Sequence, residues 1–119
     1  MNIAIANRSD PLSRSAKARL AEAAVCAALR LSPAALRQKR RGVGRAAFGR
    51  QVAMYLAHVG FGLSLTQVGL AFGRDRTTVR HACALVEDRR DQPGFELALA
   101  ALEAGLALRL RTLVAELGR

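Results

Sequence analysis

The stretch "SLTQVGLAFGRDRTTVRHAC", Ser64 to Cys83, decides how this chain folds. Its first half reads as a short helix. Ser64 and Gln67 are spaced as a capping box, in which each side chain satisfies a backbone N–H at the helix start. Leu65, Val68 and Phe72 fall on one helical face, and Gly73 is placed to take the left-handed conformation that ends a helix. Asp75 is an N-cap type for a second helix, with Val79, Ala82, Leu85 and Val86 spaced as its buried stripe. Gly69 permits close packing of the two. Two helices across so short a turn make a helix-turn-helix.

The polar cluster Arg74, Asp75, Arg76, Thr77 and Thr78 then falls on the tip of the second helix. In a helix-turn-helix that tip enters the major groove of DNA. Free N–H groups there attract phosphate. Arg76 suits guanine O6 and N7, Asp75 suits cytosine N4, and a threonine methyl suits the thymine methyl. The plain alternative is an exposed helix start at which Asp75 only caps.

The rest of the 119-residue chain fits one small domain. Hydrophobic residues make up 51% and aromatics only 4%, so the core is built from Ala, Leu and Val, a composition that favours helices. Leu20, Ala24, Val25, Ala28 and Leu29 mark a helix from about Ser15 to Arg30. Ser32 and Pro33 start a short second helix. A third runs from about Ala46 to Val59 with Val52, Leu56 and Val59 inward. A last one runs from about Phe95 to Leu117, where Leu99, Leu102, Leu106, Leu110, Leu113 and Leu117 step by three or four. The expected fold is all-α, a small helical domain with a helix-turn-helix and about five to six helices. Residues 1–14 read as a flexible arm, 15–105 as the DNA-binding domain, and 106–119 as an extension of the C-terminal helix.

Charge is unevenly spread. Residues 1–60 hold eleven Lys and Arg against two acids, while residues 61–119 hold eight against seven. Arg30, Arg37, Lys39, Arg40, Arg41, Arg45 and Arg50 follow one another with no acid between them. Such a stripe suits a polyanion, double-stranded DNA here; the alternative is a solvated face. Cys26 and Cys83 sit in helical patterns and read as small core residues in a reducing, cytoplasmic, nucleoid-associated protein. No apolar run is long enough to cross a membrane. The first thirty residues mimic a transit peptide, but they run directly into a helix that the domain needs. "GVGRAAFG" lacks the Lys-Ser pair of a nucleotide-binding loop, and no nucleophile, acid/base pair or metal-ligand set stands out. No catalytic residue, metal or cofactor is expected, and the protein is not expected to be an enzyme.

Taken together, "KRR", "GRQVAMYLA" and "LSLTQVGLAFGRDRTTVRHAC" resemble the C-terminal DNA-binding domain of the bacterial replication initiator DnaA, over roughly Leu20 to Gly105. The resemblance implies that Arg41 enters the minor groove, that Arg50, Gln51 and His81 hold phosphates, and that Asp75, Thr77 and Thr78 contact bases and phosphates. Lys39, Arg40, Arg45, Arg74, Arg76 and Arg80 complete the expected DNA-binding set with Thr66, which stands where the family has a Pro against a thymine methyl. Arg76 replaces a base-reading His, and His58 replaces a phosphate-binding Lys. In size and layout the chain also resembles small alphaproteobacterial activators of phage-like gene transfer agent clusters. It is therefore expected to be a transcriptional regulator, an activator of that kind. The rival reading is a replication regulator that competes for the initiator's sites. RNA polymerase, a companion activator or a second copy are the partners expected at the C-terminal helix, whose last leucines either fold back onto the first helix or stay free to dock.

Overall fold

The computed structural model describes residues 11–38 and 44–118, and every regular element among them is helical. Helix α1 spans Pro11–Leu29, α2 Pro33–Arg37, α3 Arg45–Tyr55, α4 Leu65–Phe72, α5 Arg76–Arg89 and α6 Pro93–Leu117. Helix α3 continues through Leu56–Gly60 as a turn of π-helix. The first helix begins at Pro11 rather than near Ser15, so part of the expected arm is helical. The remainder of that arm, residues 1–10, lies outside the described residues, as do Lys39, Arg40 and Arg41.

Local chemistry places the starts of α2 and α4 and the end of α4. The Ser32 hydroxyl accepts from the Ala35 N–H at 3.1 Å, and Pro33 opens α2. The Ser64 hydroxyl accepts from the Gln67 N–H at 3.1 Å, and the Gln67 side chain accepts from the Ser64 N–H at 2.9 Å, so the capping box is formed in both directions. Gly73 closes α4 at φ 66°, in the left-handed region.

The core gathers Val25 of α1, Leu36 of α2, Met54, Tyr55 and Leu56 around α3, Val68 of α4, Val79 and Val86 of α5, and Leu99 of α6. Three expected inward positions are corrected. Val59 is 46% exposed, whereas Gly60 is buried, because the wider π turn moves the inward position on by one residue. Leu85 lies at the surface, and the buried stripe of α5 is Val79, Ala82 and Val86. On α1 the buried residues are Lys17, Ala18, Ala21, Glu22, Val25 and Cys26, and Ala28 is exposed. A helix rich in alanine has too little contrast between its faces for periodicity to locate the inner one.

Polar contacts between helices complete the scaffold. Buried Glu22 accepts a two-pronged contact from Arg37, at 3.0 and 2.6 Å, which ties α1 to α2. A second cluster is built on the Tyr55 hydroxyl, which donates to Glu87 and accepts from Arg90, each at 2.8 Å. Arg90 also binds Glu96 and Glu103, joining α3, α5 and α6. Arg89 lies 4.4 Å from the Phe48 ring centre and 5.3 Å from that of Phe95, a cationic lid over two rings that touch each other. No helix among the described residues is long and apolar enough to cross a membrane.

Candidate nucleic-acid interface

Three residues, Gly73, Arg74 and Asp75, separate α4 from α5. The turn is tight because it folds onto Gly69. The Arg74 N–H donates to the Gly69 carbonyl at 2.9 Å, and a Cβ on Gly69 would meet the Arg74 carbonyl oxygen at 2.5 Å. Only glycine leaves that space. The turn in turn sets where α5 begins.

The tip of α5 is presented outward. Arg76, Thr77 and Thr78 form its first turn and are exposed, while Val79 behind them is fully buried. Asp75 holds the N-cap backbone conformation, at φ −69° and ψ 151°, but its carboxylate makes no capping bond. The purely capping role is therefore not what the geometry shows. The carboxylate is an exposed acceptor beside free helix N–H groups, available to a donor such as a cytosine amino group. Arg80 and His81, one turn on, are exposed as well.

Behind the tip, α3 and α5 flank a cleft of about 260 Å³. Arg50 and Gln51 of α3 line it together with Arg74, Thr78 and His81, over a floor of Ala47, Met54 and Ala82. No acid is among these lining residues. Burial, and then the Arg74 cation beside it, pull the Arg50 guanidinium below its usual pKa range. Two cations held side by side in a concave, acid-free site are an arrangement that an anion such as a DNA phosphate would relieve.

Arg50 and Arg74 also have a scaffold role that spacing does not reveal. Arg50 is buried and donates Nη1 to the Leu36 carbonyl at 2.9 Å and to the Gln38 carbonyl at 3.3 Å. Arg74 donates Nη2 to the same Gln38 oxygen at 2.9 Å. Both cations thus cap the carbonyl end of α2, where the helix dipole is negative. The α4–α5 turn is thereby tied to the residue just before the segment that carries Lys39, Arg40 and Arg41. The partner is a backbone carbonyl 36 residues away, so no side-chain signal could have located it.

Other expected residues are more scattered. Arg45 is exposed at the start of α3 and Thr66 at the start of α4; neither lines the cleft. His58 lies within the π turn, its Nδ1 2.6 Å from the Leu63 carbonyl, so it fastens the link to α4. The basic stripe is also thinner than its sequence suggests, because Arg37 is spent on Glu22 and Arg50 is buried. On α6, Leu106 is buried and Leu110 half-buried, whereas Leu113 and Leu117 are 42% and 86% exposed.

Comparison with known proteins agrees with this geometry. A family model described as the bacterial DnaA protein helix-turn-helix matches residues 20–86, which takes in α2 through the buried stripe of α5. A chromosomal replication initiator protein DnaA from Symbiobacterium thermophilum is 41% identical over 69 residues. The match covers 56% of this chain but only 14% of that protein. The capped α4, the turn folded on Gly69 and the exposed tip of α5 all lie within the matched region, and the chain belongs to the helix-turn-helix DNA-binding family of bacterial DnaA.

Proposed function

We propose that this protein is a sequence-specific transcriptional regulator of double-stranded DNA, an activator of the kind that controls phage-like gene transfer agent clusters. The N-terminal turn of α5 reads the major groove through Asp75, Arg76, Thr77 and Thr78. Arg50, Gln51, Arg74 and His81 hold the adjacent phosphates, and the basic segment at Arg41 reaches the neighbouring minor groove.

The observation that carries this reading is the tip of α5. Four polar side chains face solvent at a helix start, the carboxylate among them caps nothing, and an acid-free cleft with two arginines lies directly behind. A helix start that served only the fold would use Asp75 as a cap.

Selection from random duplexes, followed by a salt titration on the best site, tests the DNA-binding part. A defined motif is expected, with log K falling by about 0.9 per log salt for each phosphate held. Absence of any motif, or salt-insensitive binding, overturns it. Genome-wide binding then tests the regulatory part, with occupancy expected at promoters. The initiator relative supports one competing reading, a regulator that occupies replication sites. Occupancy confined to an origin would favour that reading instead.

A further inference from the structure

Helix α6 is apolar on two opposite faces. Its inner face buries Leu99 and Leu106 and half-buries Leu102 and Leu110. Directly opposite, Leu97, Ala101, Ala104, Leu108, Arg111 and Ala115 recur in steps of four and three and face solvent. Leu97 is 74% exposed and Leu108 60%. A surface helix ordinarily turns charge outward, and one that is apolar all round is covered on both sides. Along this outer strip Arg111 is the single charge.

The order of sizes along the strip indicates what covers it. Let an identical helix be laid antiparallel, with the two-fold axis passing level with Leu106. Leu97 then lies opposite Ala115 of the second copy, Ala101 opposite Arg111, and Ala104 opposite Leu108. Every layer sets a long side chain against an alanine. A helix that pairs with its own copy must supply the space for its own long side chains, and the alanines of this strip supply it in every layer. Arg111 can lay its stem over Ala101 of the second copy and keep its guanidinium in water.

We propose that α6 is a homodimerisation helix, pairing antiparallel with α6 of a second copy through Leu97, Ala101, Ala104, Leu108 and Ala115. The strip is about 27 Å long at 1.5 Å per residue. The area buried is on the order of 1,000 Å² in total, at the low end for specific interfaces, the size class of weak, reversible association. The tip that meets DNA lies at the start of α5, and α6 follows its far end after 14 helical residues, about 20 Å away. Dimerisation therefore leaves both tips free, and it does not depend on the DNA-binding reading.

Sedimentation velocity of the full chain from about 1 to 200 µM, spanning the expected association range, tests the proposal. Wild type is expected to shift from monomer to dimer. Leu108→Glu and, separately, Ala104→Arg are expected to remain monomeric with unchanged circular dichroism, because both positions face solvent. Both variants should bind a single-site duplex like wild type. Mild oxidation of Ala104→Cys/Leu108→Cys should give a cross-linked dimer, and Ala104→Cys alone should not. A wild type that is monomeric throughout, variants that still dimerise, or self-linking by Ala104→Cys alone (the mark of parallel pairing) would each overturn it. Loss of DNA binding by wild type would instead count against the proposed function and leave the dimer standing.

Discussion

Gly69→Ala is the sharpest probe of how the turn positions the recognition helix. The added Cβ would sit 2.5 Å from the Arg74 carbonyl oxygen, whereas real Cβ contacts essentially never fall below 3.0 Å. The obstacle is backbone, so no side chain can rotate away. The Arg74 peptide must retreat by about half an ångström, which lengthens the 2.9 Å bond from the Arg74 N–H to the Gly69 carbonyl. Overpacking of this kind costs about 1–3 kcal/mol, and the better helix propensity of alanine returns about 0.8–1.0. The net loss is about 1 kcal/mol, or roughly 5 °C in melting temperature for a domain of this size. DNA affinity should fall further, by about tenfold or more, because base contacts need placement to about half an ångström and the displaced turn sets the start of α5. Thermal melting by circular dichroism and titration on a single-site duplex measure the two effects. A variant as stable as wild type that binds within twofold would refute the argument that the turn needs glycine at this position.

Further substitutions separate scaffold from contact. Asp75→Ala should change stability by less than about 0.5 kcal/mol, since no capping bond is lost, whereas Ser64→Ala should cost about 1 kcal/mol; Asp75→Ala should instead relax sequence preference at one base pair in the selected motif. Arg76→Ala should cost about 1–3 kcal/mol on the best site and nothing on random duplex. Arg50→Ala should weaken all duplexes alike and also lower the melting temperature, because it strips buried donors from the Leu36 and Gln38 carbonyls. Replacing A·T pairs beside the site with G·C should weaken wild type more than Arg41→Ala, as minor-groove insertion requires. Arg90 holds the Glu96 carboxyl below the usual carboxylate range, so the pair supports the fold fully above about pH 4.5 and progressively less as pH falls. Melting curves of wild type and Glu96→Gln should therefore converge toward acid.

What was legible in the sequence depended on how far apart the interacting groups lie. The Ser64–Gln67 box, the left-handed Gly73 and the Ser32–Pro33 start are contacts within three or four residues, so residue type and spacing alone determine them. The helix-turn-helix and the outward tip of α5 follow, because a strong cap, a stop and an apolar stripe in immediate succession leave the backbone few alternatives. DnaA kinship was legible in the same stretch.

Tertiary structure decided whatever rests on partners distant in the chain. Arg37 and Arg50 look alike in the basic stripe, yet one pairs with Glu22 on α1 and the other is buried under the end of α2. Arg37 is thereby taken from the stripe and Arg50 is fixed on the wall of the cleft, and only the packing of α1, α2 and α3 shows it. The inward face of α1 depended on which side α3 covers, since alanine is nearly indifferent to burial and carries little sequence signal. The π turn at Leu56–Gly60 moved the core position from Val59 to Gly60, a change in helical pitch that a fixed 3.6-residue period cannot anticipate. Sequence determined the elements bounded by local hydrogen bonds; packing decided which charges remained free for DNA, because a guanidinium reaches whatever carboxylate or carbonyl the fold brings beside it.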